Sequence, residues 1–224
     1  MHLFHSLLDI VMHLDVHLND FTQAHGVMTY AVLAGIIFCE TGLVVTPFLP
    51  GDSLLFAAGA TSAVSGLALT PTLLLLFLWL AGCCGDSCNY WVGRYIGPRA
   101  FNFKHRWFNH ERLVQAHQFY EKYGPRTIII ARFMPFVRTF APFVAGIGDM
   151  PYPRFLTFSV AGNLLWVGIF VLGGYFFGSL GPVKKHFTLV IMAVILISLV
   201  PGFVEYLKHR RAARAAAPAP VDPS

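Results

Sequence analysis

Apolar runs long enough to cross a bilayer, yet broken by charge and proline, constrain this chain more than any other feature. Residues 40–59, ETGLVVTPFLPGDSLLFAAG, place Glu40, Pro47, Pro50, Gly51 and Asp52 in a run otherwise fit for lipid. A second run, ARFMPFVRTFAPFVAG at 131–146, carries Arg132, Pro135, Arg138 and Pro142 in the same manner. Hydrocarbon penalises both unpaired charge and backbone whose polar groups are not bonded internally. Any fold of this chain must therefore hide these charges and breaks from lipid.

Composition sets the class. The chain of 224 residues is 56% hydrophobic and 12% charged, with a mean hydropathy of +0.61, whereas a soluble domain carries about a quarter charged residues. The expected fold is an all-α polytopic membrane protein. The first 93 residues hold no Lys or Arg, so the basic start of a removable signal peptide is missing and the excess of positive charge lies further on. Those bases sit in loops beside apolar spans, which points to positive-inside loops rather than nucleic-acid binding. Cys39, Cys83, Cys84 and Cys88 all lie in apolar segments, with no disulfide framework and no nearby His to complete a metal site. His13 and His17 are one helical turn apart without a third ligand, so neither metal nor cofactor is expected.

Along the chain, residues 1–26 read as an amphipathic interfacial helix and 27–207 as the transmembrane domain. Within the latter, spans are expected at about 27–46, 72–96, 155–178 and 187–206. A polar connection covers 97–126, and a basic tail rich in Ala and Pro covers 208–224. The connection and the tail hold most of the basic residues; placing both in the cytoplasm satisfies the positive-inside rule and puts both termini there. The segments at 47–62 and 127–150 must then return to the side they entered, as two re-entrant hairpins of opposite orientation. Pro47, Pro50, Gly51, Pro135 and Pro142 make the breaks.

A weak internal repeat agrees. PFLPGDSLLFAAG (47–59) is echoed by PFVRTFAPFVAG (135–146), and GDSCNYWVGRYIG (85–97) by GNLLWVGIFVLGGYFFG (162–178). A hairpin followed by a span, repeated in opposite orientation, is a transporter signature.

Five charges lie inside apolar segments: Glu40, Asp52, Asp86, Arg132 and Arg138. On a continuous helix Glu40 and Asp52 would stand about 18 Å apart along the axis; the Pro-Gly break can fold one toward the other. Guanidinium forks match phosphate bidentately, so Arg132 and Arg138 are candidates for an anionic headgroup. Carboxylic acids held out of water can load and release protons, which makes Glu40 and Asp52 candidate proton-coupling residues. Asp86 is a further polar candidate. The same charges also fit a structural role, as ion pairs pinning two hairpins, and Asp52 after Pro-Gly suits a helix N-cap. The abundant aromatic residues, Phe133, Phe140 and Trp166 among them, read as core or interfacial belt without a site role.

Taken together, ETGLVVTPFLPGDSLLFAAG, GDSCNYWVGRYIG and ARFMPFVRTFAPFVAGIGDMPYPRF resemble the DedA family, the SNARE-associated or VTT-domain membrane proteins, over about residues 15–210. The resemblance implies a bacterial inner-membrane protein with opposed re-entrant hairpins that serves envelope homeostasis. It also implies a lipid flippase, moving an anionic lipid such as undecaprenyl phosphate with proton coupling. The family's acidic pair falls on Glu40 and Asp52, and its arginine pair on Arg132 and Arg138. Many members have Glu where this chain has Asp52, one methylene shorter. Membrane lipids and protons are the expected partners, and no enzymatic step is expected. A proton-coupled transporter of small cations or drugs is the alternative. A lipid phosphatase is the third reading, and it would have to draw on Ser53, Thr46 or Thr139.

Overall fold

The structure is a computed structural model that describes residues 14–43, 51–64, 69–100, 124, 126–178, 180, 189–190 and 192–193. Pro47 and Pro50, the first 13 residues, nearly all of the last expected span and the tail lie outside the described residues. Seven helices are described: α1 (Leu14–His25), α2 (Met28–Gly42), α3 (Gly51–Val64), α4 (Pro71–Ala100), α5 (Thr127–Ala131), α6 (Pro135–Ile147) and α7 (Tyr152–Gly178). Two are long and apolar enough to cross a membrane, over Pro71–Ile96 within α4 and over all of α7.

The chain is built inside out compared with a soluble bundle. Leu76, Phe77 and Leu80 on α4, and Leu164, Ile169 and Phe176 on α7, are exposed, while Glu40, Asp86, Asn89, Arg132, Arg138 and Asn163 are buried. Soluble proteins almost never bury unpaired charge, and they rarely expose a continuous apolar face. With lipid as the solvent the same distribution is the low-energy one.

Several boundaries differ from the sequence expectation. Helix α2 stops at Gly42, with Leu43 extended, rather than continuing to residue 46. Its 15 residues measure about 22 Å, short of the roughly 30 Å hydrocarbon core. Helix α4 runs past residue 96 to Ala100, and α3 continues to Val64. The expected break in the second charged run is present at Pro135 but not at Pro142, which lies inside α6, where the helix continues to Ile147. Arg132, Phe133 and Met134 donate to the carbonyls three residues back, the tight pattern of a closing helix end. Met134 then turns extended (φ −115, ψ 110), and Pro135 sits in the first turn of α6. A residue before proline is pushed out of the helical region, and proline suits the first turn because its missing N–H is not needed there.

The helices pair crosswise. Helix α3 makes its most extensive contact with α7, and α6 with α4, so each short helix packs on the long helix from the other half of the chain. Both crossings are close, backbone against backbone. At the first, Gly59 lies against the carbonyl of Val171 and Gly174 against that of Phe56. At the second, Gly146 lies against the carbonyl of Tyr90 and Gly93 against that of Phe143. Gly59 and Gly146 close the two copies of the first sequence echo, and Gly93 and Gly174 lie within the two copies of the second. Small residues permit the approach, which is how helices gain contact energy where lipid removes the hydrophobic drive for association.

Polar stitches hold the remaining elements. Asn89 on α4 donates to the carbonyls of Thr41 (3.1 Å) and Thr139 (2.6 Å), so it caps the open end of α2 and ties it to α6. Trp79 donates to the carbonyl of Val160 across 3.1 Å, joining α4 to α7. Between α6 and α7, Asp149 adopts φ 57 and pairs with Arg94 at 2.9 Å, while Tyr90 donates to the Met150 carbonyl. Below these stitches lie two apolar clusters, one around Leu33, Ile37, Leu55, Leu78 and Val171, the other around Tyr90, Ile128, Ala145 and Phe155.

The crossings make a direct prediction. Gly146→Ala would drive a Cβ into the α4 backbone and is expected to cost about 1–3 kcal/mol. At Gly168 a Cβ meets nothing within 4 Å, so Gly168→Ala is expected to stabilise by about 0.5–1 kcal/mol. Thermal melting of detergent-solubilised protein compares the two; equal melting temperatures would contradict the close crossing.

Candidate functional site

All five intramembrane charges converge on one buried cluster, reached from five directions. Glu40 comes from the last turn of α2, Asp52 from the first turn of α3 and Asp86 from the middle of α4. Arg132 comes from the break after α5, and Arg138 from the first turns of α6. The break allows both arginines, six residues apart, to reach the same place. None of the five side chains is more than 11% exposed.

Arg138 sits between two acids: one terminal nitrogen donates to Glu40 Oε1 and the other to Asp52 Oδ1. Gly51 lies directly against the Glu40 carboxylate, where a Cβ would collide with it. Gly51 before Asp52 thus has a local role, for only glycine lets the start of α3 press this closely on Glu40. Asp52 does not act as a simple N-cap; its carboxylate is committed to Arg138 and to Trp166, whose indole Nε1 donates to Asp52 Oδ1 at 2.8 Å.

Arg132 departs from the sequence expectation. Its partner is Asp86 rather than Glu40 or Asp52: Arg132 Nη1 donates to Asp86 Oδ1 at 2.9 Å and Nη2 to Oδ2. Asp86 Oδ2 also accepts from Ser159 Oγ and, at 2.9 Å, from Asn163 Nδ2. A bidentate guanidinium and two neutral donors satisfy both oxygens, the condition under which a buried ion pair is tolerated. The two ion groups meet at Trp166. The guanidinium carbons of Arg132 and Arg138 lie 5.6 Å and 5.1 Å from its ring centroid, within cation–π range, and the indole is wholly buried.

Trp166, Ser159 and Asn163 were therefore missed as site residues. They lie at i, i+4 and i+7 on α7, one face of an otherwise apolar span, and that spacing of two polar residues and an indole was the available signal. Among the described residues the cluster holds three carboxylates against two guanidiniums, so a proton or another cation is needed to balance it. Glu40 Oε2 and Arg138 Nε are fully buried atoms of the cluster with no hydrogen-bond partner among the described residues.

An integral membrane protein with a buried charge cluster between crossed helix pairs is the class that these features define. Residues 27–176 match the VTT domain. The chain is 48% identical to protein DedA of Escherichia coli over 218 residues, covering 97% of this chain and all of that protein. It is 42% identical to an uncharacterized membrane protein of Mycobacterium tuberculosis over 204 residues, 89% of each chain. It is 34% identical to the inner membrane protein YqjA of Escherichia coli over 176 residues, 77% of this chain and 78% of that one. No solved structure matches. The chain belongs to the VTT-domain family, the DedA proteins.

Removing Asp86 would leave Arg132 buried without its fork partner. Asp86→Ala is expected to cost about 3–5 kcal/mol, and Arg132→Met in the same chain to restore most of it. Unfolding in detergent, read as a double-mutant cycle, measures this; additive losses would mean that the two side chains do not depend on each other.

Proposed function

We propose that this protein is an inner-membrane lipid transporter that moves an anionic lipid, such as undecaprenyl phosphate, across the bilayer with proton coupling. The observation that carries the reading is Arg138, buried in the membrane domain and clamped by two carboxylates from two different helices. A guanidinium fork suits a phosphate monoester, and in this state it is neutralised by the protein's own acids. A headgroup phosphate would replace a carboxylate on Arg138, and the released carboxylate would take a proton, so that exchange of anions and uptake of protons become one event.

The lengths of the short helices support opposed re-entrant elements. Helices α3 and α6, of 14 and 13 residues, measure about 20 Å, too short to span roughly 30 Å of hydrocarbon. Helix α6 begins at the Pro135 break, and each of the two leans on the other half's span. At the break before α6 Arg132 is buried, which suits non-helical backbone at membrane depth. Both termini are assigned to the cytoplasm by the basic loops.

The surplus carboxylate also suits a proton-coupled transporter of small cations, the second reading. Proteoliposomes containing fluorescent undecaprenyl phosphate and an imposed pH gradient separate the two. Under the lipid reading Arg138→Ala is expected to slow lipid movement about a hundredfold, the effect of losing a charge-assisted bond of up to about 3 kcal/mol. Glu40→Gln is expected to uncouple lipid movement from the gradient. Equal, slow movement by wild type and Arg138→Ala would end the lipid reading. Proton flux that is lost in Glu40→Gln while lipid distribution stays normal would favour the cation transporter.

A further inference from the structure

The three carboxylates of the cluster are held with unequal strength. Asp86 uses both oxygens on four donors, two from Arg132 and one each from Ser159 and Asn163. Asp52 receives two donors on one oxygen, Arg138 Nη1 and the Trp166 indole. Glu40 receives one, from Arg138 Nη2 on Oε1, and its Oε2 has no partner among the described residues. The arginines differ in the same direction. Arg132 is engaged by a fully satisfied carboxylate, whereas Arg138 keeps an unused buried Nε. Trp166 touches both ion groups: its ring faces both guanidiniums and its N–H holds Asp52.

We propose that Trp166 is the positioning residue of the anion site, holding Arg138, Arg132 and Asp52 in register while the Glu40–Arg138 contact opens to admit a headgroup phosphate. This rests on the lipid-transport reading and refines it. Glu40 is the carboxylate that leaves, Asp52 the one that stays, and Arg132 a fixed wall rather than a headgroup ligand. The physical reason is a count of partners. Opening Glu40 breaks one hydrogen bond, whereas releasing Asp52 breaks two and strands a buried indole N–H, and releasing Asp86 breaks four. While Glu40 is away, Arg138 keeps Asp52 on one side and the indole face beneath it, so the fork stays aimed and its freed Nη2 and unused Nε are available to phosphate oxygens. Among the described residues the charged groups at Trp166 are Asp52 from α3, Arg132 from the break and Arg138 from α6, and the two arginines are paired in turn with Glu40 on α2 and Asp86 on α4.

The two halves of the role can be separated by substitution. Trp166→Phe keeps an aromatic face under the guanidiniums and removes only the N–H. Trp166→Leu removes both. Binding of fluorescent undecaprenyl phosphate to purified full-length protein and its movement in proteoliposomes would be measured for each, with melting temperature recorded alongside. Trp166→Phe is expected to bind with a half-saturation within about threefold of wild type but to turn over about tenfold more slowly, because Asp52 is no longer kept clear of the exchange. Trp166→Leu is expected to raise the half-saturation about tenfold, because the arginine loses its platform. If Trp166→Leu fails to fold, the rate-without-affinity loss in Trp166→Phe still decides. A Trp166→Phe protein with wild-type half-saturation and wild-type rate overturns the positioning role and leaves the transport reading standing. Absence of binding by the wild type overturns the transport reading, and this inference with it.

Discussion

The rest of the structure depends on the ion pairing of Arg138 with Glu40 and Asp52. A lone guanidinium or carboxylate at the depth of a membrane helix costs about 2.5–3.5 kcal/mol on insertion scales, so neither α2, α3 nor α6 is comfortable in lipid on its own. Once the three charges meet, those helices are committed to one another, and the ends left open by the short α2 and by the break before α6 are drawn into the interior. Asn89, which bonds both Thr41 and Thr139, closes the same junction with neutral groups. The second pair, Arg132 with Asp86, does for α4 and the break before α6 what the first does for α2 and α3.

The crossed packing gives this cluster its frame. Because α3 leans on α7 and α6 on α4, the acids carried by one half of the chain and the arginines carried by the other are brought together at the centre. The glycine crossings fix the spacing of the backbones and leave little freedom for the cluster to widen without disturbing a helix pair. Four of the five candidate residues are thus mounted on packed helices and the fifth, Arg132, directly at a helix end, the arrangement that favours a well-defined site. Trp166 joins the two ion groups, its ring within cation–π range of both guanidiniums.

Much of this was legible in the residues. The apolar composition announced lipid as solvent, Pro135 marked the break before α6, and the short list of intramembrane charges named the members of the cluster, whereas Pro142, expected to break the same run, is accommodated inside α6. The pairing within the cluster was not legible. Charge alone allows Arg132 to serve Glu40, Asp52 or Asp86, and Asp86 stood in the sequence only as a further polar candidate. Trp166 was hidden for a similar reason. An indole in an apolar helix is indistinguishable in sequence from a core or belt residue, and its role exists only because two guanidiniums from another segment arrive above it.

The sequence by itself determined the solvent, the helical class and the identity of the buried charges, because transfer free energies and proline stereochemistry are local properties that a residue carries wherever it sits. Tertiary structure alone decided which acid holds which arginine, that Gly51 presses on Glu40, and that Trp166 joins the two pairs. Those outcomes depend on the angles and depths at which α2, α3, α4, α6 and α7 meet. Interaction between charges falls with distance and needs aligned donors, so partners separated by dozens of residues are chosen only when packing sets that distance.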